Sequence, residues 1–379
     1  MRHNRMLVIS SLNPDLTDVN GVAKKIMLEI NTFKSFGYQV DFVEISDKGV
    51  YINSYGIKNF CVQWSNSYHN TFANFYRYLK SKDQLDYDIV YFRYEHISFS
   101  MLNFFKKFKR LENKLVIGEL PTFMNKPYSN DSLKNKLSFY IKRGLNLFLP
   151  KKIDFIVTFS EHKRLFRANT INIENFSEIE GLEVKKINTT PKNECHLLVL
   201  AQLTPAHGVD LVIRGLKEYY KKENTIKCFL HIVGNGSIQN SLKEEVLQLD
   251  LNSYVSFYGA LGGESLNEVF DKCDIGIGAL AIFRKGSYKL SELKIREYTA
   301  RGLPFVYNAY EPQIQDCFFG FKIASVDEPT DIDKIVKFYS GFDYNQENLM
   351  LMRNFAKENF SAKKQLGIVN NVINEWFKI

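Results

Sequence analysis

The stretch SELKIREYTARGLPFV, residues 291–306, reads as a helix set between two strands. Ser291 is a residue type that caps helices. A helix starting just after it offers unpaired backbone N–H groups and a positive dipole end, a ready site for a diphosphate. Lys294 lies one turn in and adds a point charge. Glu297 follows at i+3, on nearly the same face, and a carboxylate has two oxygens for the two hydroxyls of a ribose. Gly302 ends the helix, and Leu303–Val306 re-enters a sheet. The pattern suits a nucleoside diphosphate; a surface helix with a Lys294–Glu297 ion pair carries equal weight on pattern alone.

Working outward, strands and helices alternate on both sides. Upstream lie strands at 196–201, 228–233, 254–258 and 275–280, separated by helices at 207–220, 237–249 and 264–271. An earlier series has strands at 5–10, 38–45, 88–94, 114–119 and 154–160, with a helix over 22–36 stopped by Gly37. Helices at 331–340, 346–360 and 362–377 close the chain. Short apolar runs alternating with helices imply parallel sheets covered on both faces. The polar stretch KINTTPKNE separates the two series. The expected organisation is an α/β chain of two Rossmann-like, doubly wound domains: 1–186, a linker at 187–194, 195–355, and a terminal segment 356–379 packing back on the first domain. Two such domains facing each other would bind ligand in the cleft at their carboxyl ends.

With 379 residues, two cores are the natural division. No run of about 18 apolar residues is present, so no transmembrane helix is expected. The start MRHNRMLVIS lacks a leader's long apolar run and cleavage site. Five cysteines (Cys61, Cys195, Cys228, Cys273, Cys317) show no metal spacing and read as buried thiols in a reducing compartment. These readings imply a cytoplasmic protein, with the inner face of the cell membrane as a further station. The net charge of +8 is dispersed and no reading motif appears, which argues against nucleic acid.

LKIREYTARGLPFV resembles the donor-binding helix of glycosyltransferase family 4, retaining enzymes of the GT-B fold. Val199–Leu216, His231–Leu242 and Val255–Leu280 resemble that family's preceding segments in the same order, and Asn20-Gly21-Val22 resembles its N-terminal glycine loop. The resemblance implies a hexosyl transfer from a UDP- or GDP-sugar donor to a glycan, lipid-linked or protein acceptor, in surface polysaccharide or glycoconjugate synthesis. It implies that Glu297 holds the ribose, that N–H groups near Leu293 and Lys294 hold the diphosphate, and that Gly234 and Gly236 let a turn approach the nucleotide. Retention at the anomeric carbon is implied too, the leaving phosphate taking the acceptor's proton.

The sequence departs from that family at the cations. Its usual Arg and Lys after the first C-domain strand are replaced by Gln202 and His207, and its first glutamate by Lys289. Charge on the leaving diphosphate then falls to Arg284, Lys285 and Lys294, with His207 beside them. In the first domain, Gly21 opens a helix at the donor or acceptor side, with Asn20 as its cap. Arg93, Glu95, His96 and Glu119 follow strands, and Glu119 stands where the family often has a sugar-contacting His. An inverting route would need one of Glu95, His96 or Glu119 as base. No Asp-x-Asp clip stands in a convincing loop, so no metal and no cofactor besides the donor is expected.

Two stretches mix basic and apolar residues, Phe104–Lys114 and Leu133–Lys152. Each reads either as a domain helix with solvated lysines or as a peripheral contact with an anionic membrane. The competing functions are a nucleotide-sugar epimerase of the same fold and a non-catalytic binding partner, the latter favoured by Gln202 and Lys289.

Overall fold

The computed structural model describes residues 4–13, 21–65, 67–82, 85–94, 98–120, 133, 136–137, 140–141, 144, 152–187, 193–285 and 291–378. The chain divides into two compact units: residues 1–174 with 362–379, and residues 175–361.

In the first unit, strands β1 (Arg5–Leu12), β2 (Gln39–Ile45), β5 (Ile89–Arg93), β6 (Leu115–Leu120), β7 (Phe155–Thr158) and β9 (Ala168–Asn172) run parallel. Strands β3 (Gly49–Ser54), β4 (Ile57–Gln63) and β8 (Arg164–Leu165) add antiparallel edges. The order β4-β3-β2-β1-β5-β6-β7-β9-β8 reverses direction at β1/β5. The β3–β4 pair was not anticipated: β4 exposes Ile57–Phe60 and buries Cys61, so its apolar residues show no alternation.

Helices α1 (Gly21–Ser35), α2 (Tyr68–Ser81) and α3 (Phe99–Phe108) pack on this sheet. Ser67 and Ser98 cap α2 and α3 by accepting from Asn70 N and Met101 N. The apolar face of α3 (Met101, Leu102, Phe104, Phe105, Phe108) is fully inside. Each of these side chains contributes at most about 1.5–3 kcal/mol. Lys109 pairs with Asp154 (2.7 Å), and Lys107 donates to the carbonyls of Lys80 and Lys82. For Phe104–Lys114 the domain-helix reading therefore holds.

The second unit holds a parallel sheet in the order β12-β11-β10-β13-β14-β15. Its strands are β10 (Glu194–Leu200), β11 (Lys227–Val233), β12 (Val255–Gly259), β13 (Ile275–Ile277), β14 (Phe305–Tyr307) and β15 (Gly320–Lys322). Helices α4 (Val209–Tyr219), α5 (Gln239–Gln248), α6 (Gly263–Lys272), α7 (Leu293–Arg301), α8 (Ile332–Gly341) and α9 (Gln346–Phe360) accompany it. Apolar clusters cover both faces: Leu197, Val199 and Leu230 on one, Leu198, Tyr298 and Phe305 on the other. Cys195, Cys228 and Cys273 are buried free thiols here, as Cys61 is in the first unit; Cys317 is partly exposed.

The expected boundary needs correction. The second unit begins at Asn175, not after a linker at 187–194. Asn175 N donates to Ser291 Oγ (2.8 Å), Lys185 N to the Arg301 carbonyl (2.8 Å), and Ile179 and Leu182 join the core. Polar composition marked the far side of an ordered segment; residues 188–192 lie outside the described residues. Residues 356–360 complete α9 in the second unit, and only α10 (Ala362–Phe377) belongs to the first, packed on α1. There Tyr38 donates to Asn370 (2.8 Å) and Trp376 meets Phe155 edge-on.

Candidate functional site

Parallel sheets bind ligands where the strand order reverses, at the carboxyl ends. In the second unit that point lies between β10 and β13. Loop 201–208 follows β10 and loop 278–285 follows β13. They are joined by Leu280 N donating to the His207 carbonyl (3.1 Å) and Ala281 N to the Ala206 carbonyl (3.3 Å).

Helix α7 starts beside this junction. Its cap is Glu292, not Ser291, and Glu292 does not bond its own helix. The Glu292 carboxylate instead accepts from Ala279 N (2.9 and 3.0 Å), fixing the turn after β13. Ser291 is turned to the opposite side, where its hydroxyl accepts from Asn175 N and Arg296 Nη2 (2.7 Å). Asn175 competes for the hydroxyl that local sequence assigns to the cap. Leu293, partly exposed, opens the helix. Gly302 ends it as expected, at φ +74°, with Leu349 Cγ 2.8 Å from where a Cβ would stand.

Lys294 is buried, and its Nζ lies 3.7 Å from Glu292 Oε2, within ion-pair range but too long for a hydrogen bond. Among the described residues that group has no hydrogen-bond acceptor within reach. Burial lowers its pKa against the pull of Glu292, and burial raises Glu292 against Lys294 and the Ala279 N–H. Glu297 is partly exposed, and Oε1 accepts from Arg301 Nε (3.0 Å). Arg301 is held in turn by Asn267 (2.8 Å) and the Phe270 ring.

His207 is neutral. Burial, then Lys294 and Lys285, push its pKa down to about 3. Thr204 N donates toward Nδ1 (3.4 Å), which leaves the ring proton on Nε2. Lys285 is partly exposed, lowered by burial, and ion-paired with no described residue. Gln202 is exposed. Lys285 and Lys294 thus both lie close enough to His207 to act on its charge.

Arg284 has another role than the sequence suggested. Its guanidinium binds Asp210 through two bonds (2.9 and 2.8 Å), also pairs with Asp327, and donates to the Pro205 carbonyl. Asp210 raises its pKa. Two carboxylates neutralise it, so it ties loop 278–285 to the first turn of α4. Gly234 and Gly236 are corrected similarly. A Cβ at these positions would stand 1.9 Å from the Ala201 oxygen and 2.1 Å from the Leu203 oxygen. Their missing side chains admit the protein's own loop 201–203, which Leu203 N secures on the Asn235 carbonyl (2.9 Å).

In the first unit, Gly21 is the first residue of α1, while Asn20, Glu95 and His96 lie outside the described residues, as does Lys289 in the second unit. Glu119 is buried against Lys25 Nζ (3.1 Å) and Arg93 Nη1 (3.3 Å). Burial pushes Glu119 up, but Arg93 and Lys25 outweigh it and hold the carboxylate ionised. Glu29, across Lys25, is raised to about 8 by burial and by Glu119, and keeps its proton.

Sequence reading missed Glu292 and the buried pair Arg296–Glu311. Arg296 bonds Glu311, Ser291 and the Asn175 carbonyl and stacks on Phe360. Burial raises Glu311 to about 7 against Arg296. The pair fixes the underside of α7. Glu292 was within reach, since it adjoins Lys294; Glu311 has no local signal.

A family model described as "Glycosyl transferases group 1" matches residues 182–278. An uncharacterised glycosyltransferase of Methanocaldococcus jannaschii is 26% identical over 309 residues, 77% of this chain and 76% of the relative. Sucrose-phosphate synthase from Thermosynechococcus elongatus superposes with a TM-score of 0.74 at 12% identity, covering 99% of both chains. Anabaena HepE, solved with UDP and glucose, gives 0.61 at 14% identity over 100% of both. At these identities the structural likeness concerns the fold. Together with the matched sequence segment, it defines the class: the chain is a glycosyltransferase of the GT-B fold.

Proposed function

We propose that the enzyme transfers a sugar from a nucleoside-diphosphate donor, UDP- or GDP-linked, to a glycan, lipid-linked or protein acceptor, with retention, in surface polysaccharide or glycoconjugate synthesis. The observation that carries the donor assignment is the buried Lys294 ammonium at the first turn of α7, without a hydrogen bond among the described residues. A buried cation in that state is costly until an anion completes it. A diphosphate there meets Lys294, Lys285, the Nε2–H of His207 and the N–H groups of the helix start, donors that strengthen as charge builds on the leaving group. Glu297 keeps one oxygen on Arg301 and offers the other to the ribose. UDP is the first nucleotide to test, because it is the one in the Anabaena HepE structure.

Glu119 is a poor base, being buried and already paired with Lys25 and Arg93. That supports transfer in which the departing phosphate takes the acceptor's proton. Among the described residues no group of three or more His, Cys, Asp or Glu could hold a metal, and helix dipole and cations are proposed to suffice. Melting curves with UDP, GDP, ADP and their sugars, each with and without EDTA, test this. Stabilisation by one nucleotide, unchanged by EDTA, is expected; no shift with any nucleotide would refute the donor assignment, and a shift abolished by EDTA the metal-free one.

A further inference from the structure

Lys285 and His207 stand on two loops built from single 3-10 turns, Ile282–Lys285 and Pro205–His207. Such a turn has poor hydrogen-bond geometry and holds its shape only with outside help. The Arg284 side chain supplies that help. Its Nη1 donates to the Pro205 carbonyl and to Asp210 Oδ1 (2.9 Å each), its Nη2 to Asp210 Oδ2 (2.8 Å), and its Nε to Asp327 Oδ1 (3.1 Å). Pro205 lies two residues before His207, and Lys285 directly follows Arg284. Asp210 stands in the first turn of α4, where the helix dipole favours its charge. Its side chain is 14% exposed, against 63% for Asp327, so Asp210 is the firmer anchor. The backbone makes the same connection. Beside the bonds from Leu280 and Ala281, Gly208 sits at φ +68°, with the Ala281 nitrogen 3.0 Å from where a Cβ would stand.

We infer that Asp210, acting through Arg284, is a positioning residue for the leaving diphosphate, because it fixes the two loops that carry Lys285 and His207. The inference rests on the donor reading above. Two carboxylates hold the Arg284 charge, so what this side chain supplies is geometry. Only the planar fork of a guanidinium serves Asp210 and the Pro205 carbonyl in fixed directions; an ammonium is a point charge. A cation or donor carried off by a loosened loop loses much of its effect on the leaving group.

Two measurements test it, the first needing no nucleotide. Nitrogen-15 spectra of histidine-labelled protein follow the His207 ring, its signal identified by His207→Gln. In the wild type the ring should stay neutral down to about pH 5, since its pKa is pushed down to about 3. In Asp210→Asn the loop loosens, and the ring should titrate nearer its ordinary 6.5. Loss of a neighbouring carboxylate would by itself move the ring the other way, so a rise reports lost burial. Calorimetry is the second measurement: affinity for UDP should fall about fivefold in Asp210→Asn. Arg284→Lys should match Asp210→Asn in both measurements, and Asp327→Asn should match the wild type. A lowered melting temperature with both readouts unchanged in the folded protein would make the role merely structural and overturn the inference. Wild-type behaviour of Arg284→Lys would overturn it too, since charge alone would then suffice. A wild type that binds neither UDP nor GDP, with the His207 ring still released in Asp210→Asn, would strike the donor reading and leave the fixing of the loops standing.

Discussion

Among single residues, protonation decides most of what the two units can do. His207 is neutral because burial and two lysines forbid its charge, so in the proposed site it would offer a diphosphate a hydrogen bond and no charge. Glu29 and Glu119 share Lys25, and only Glu119 is ionised. Their substitutions should therefore differ. Glu119→Gln leaves Lys25 and Arg93 buried beside a neutral group and should cost about 3–5 kcal/mol. Glu29→Gln replaces a protonated carboxyl with an amide and should be tolerated. The sign with pH follows. Glu29 is raised from 4.5 to about 8, so its contribution is complete below the lower value and disappears as pH rises through the upper. Melting temperatures from pH 5 to 9 should fall for wild type across that window and fall less for Glu29→Gln. Equal slopes, or equal damage from the two substitutions at pH 6, would contradict this assignment.

At the level of elements, the strands and helices of the second unit were legible because apolar period and turn residues agree. Helices α9 and α10 coincide with their expected limits, and Gly302 stops α7 where the sequence said it would. The site's chemistry was less legible. Ser291, Arg284, Gly234 and Gly236 were read toward the ligand, but Ser291 and Arg284 are bound to Asn175 and Asp210, far along the chain, and the two glycines are closely approached by the Ala201 and Leu203 oxygens. Local sequence shows which residues can cap, pair or turn; it does not show which distant group reaches them first. Gly236 gives a direct check. Gly236→Ala drives a methyl into the Leu203 oxygen, a strain of about 1–3 kcal/mol. The melting temperature should drop by several degrees, and donor affinity should fall with it because loop 201–203 must move. An unchanged melting temperature would show that the close approach is absent.

For the molecule as a whole, two Rossmann-like units of similar design carry unequal shares of the proposed reaction. The second unit gathers the features of a donor site: a sheet switch point, a helix start, two cations and a neutral His207. The first contributes a buried charge cluster of Lys25, Glu29 and Glu119. Among the described residues no helix is long and apolar enough to cross a membrane. All of this depends on the diphosphate lying at the start of α7. Calorimetric titration of UDP into wild type, Lys294→Met and Glu297→Ala addresses that placement directly. Wild type should bind, and each variant should bind about tenfold more weakly or worse while still folded at the assay temperature. Binding by both variants at wild-type affinity would place the nucleotide elsewhere and contradict the assignment.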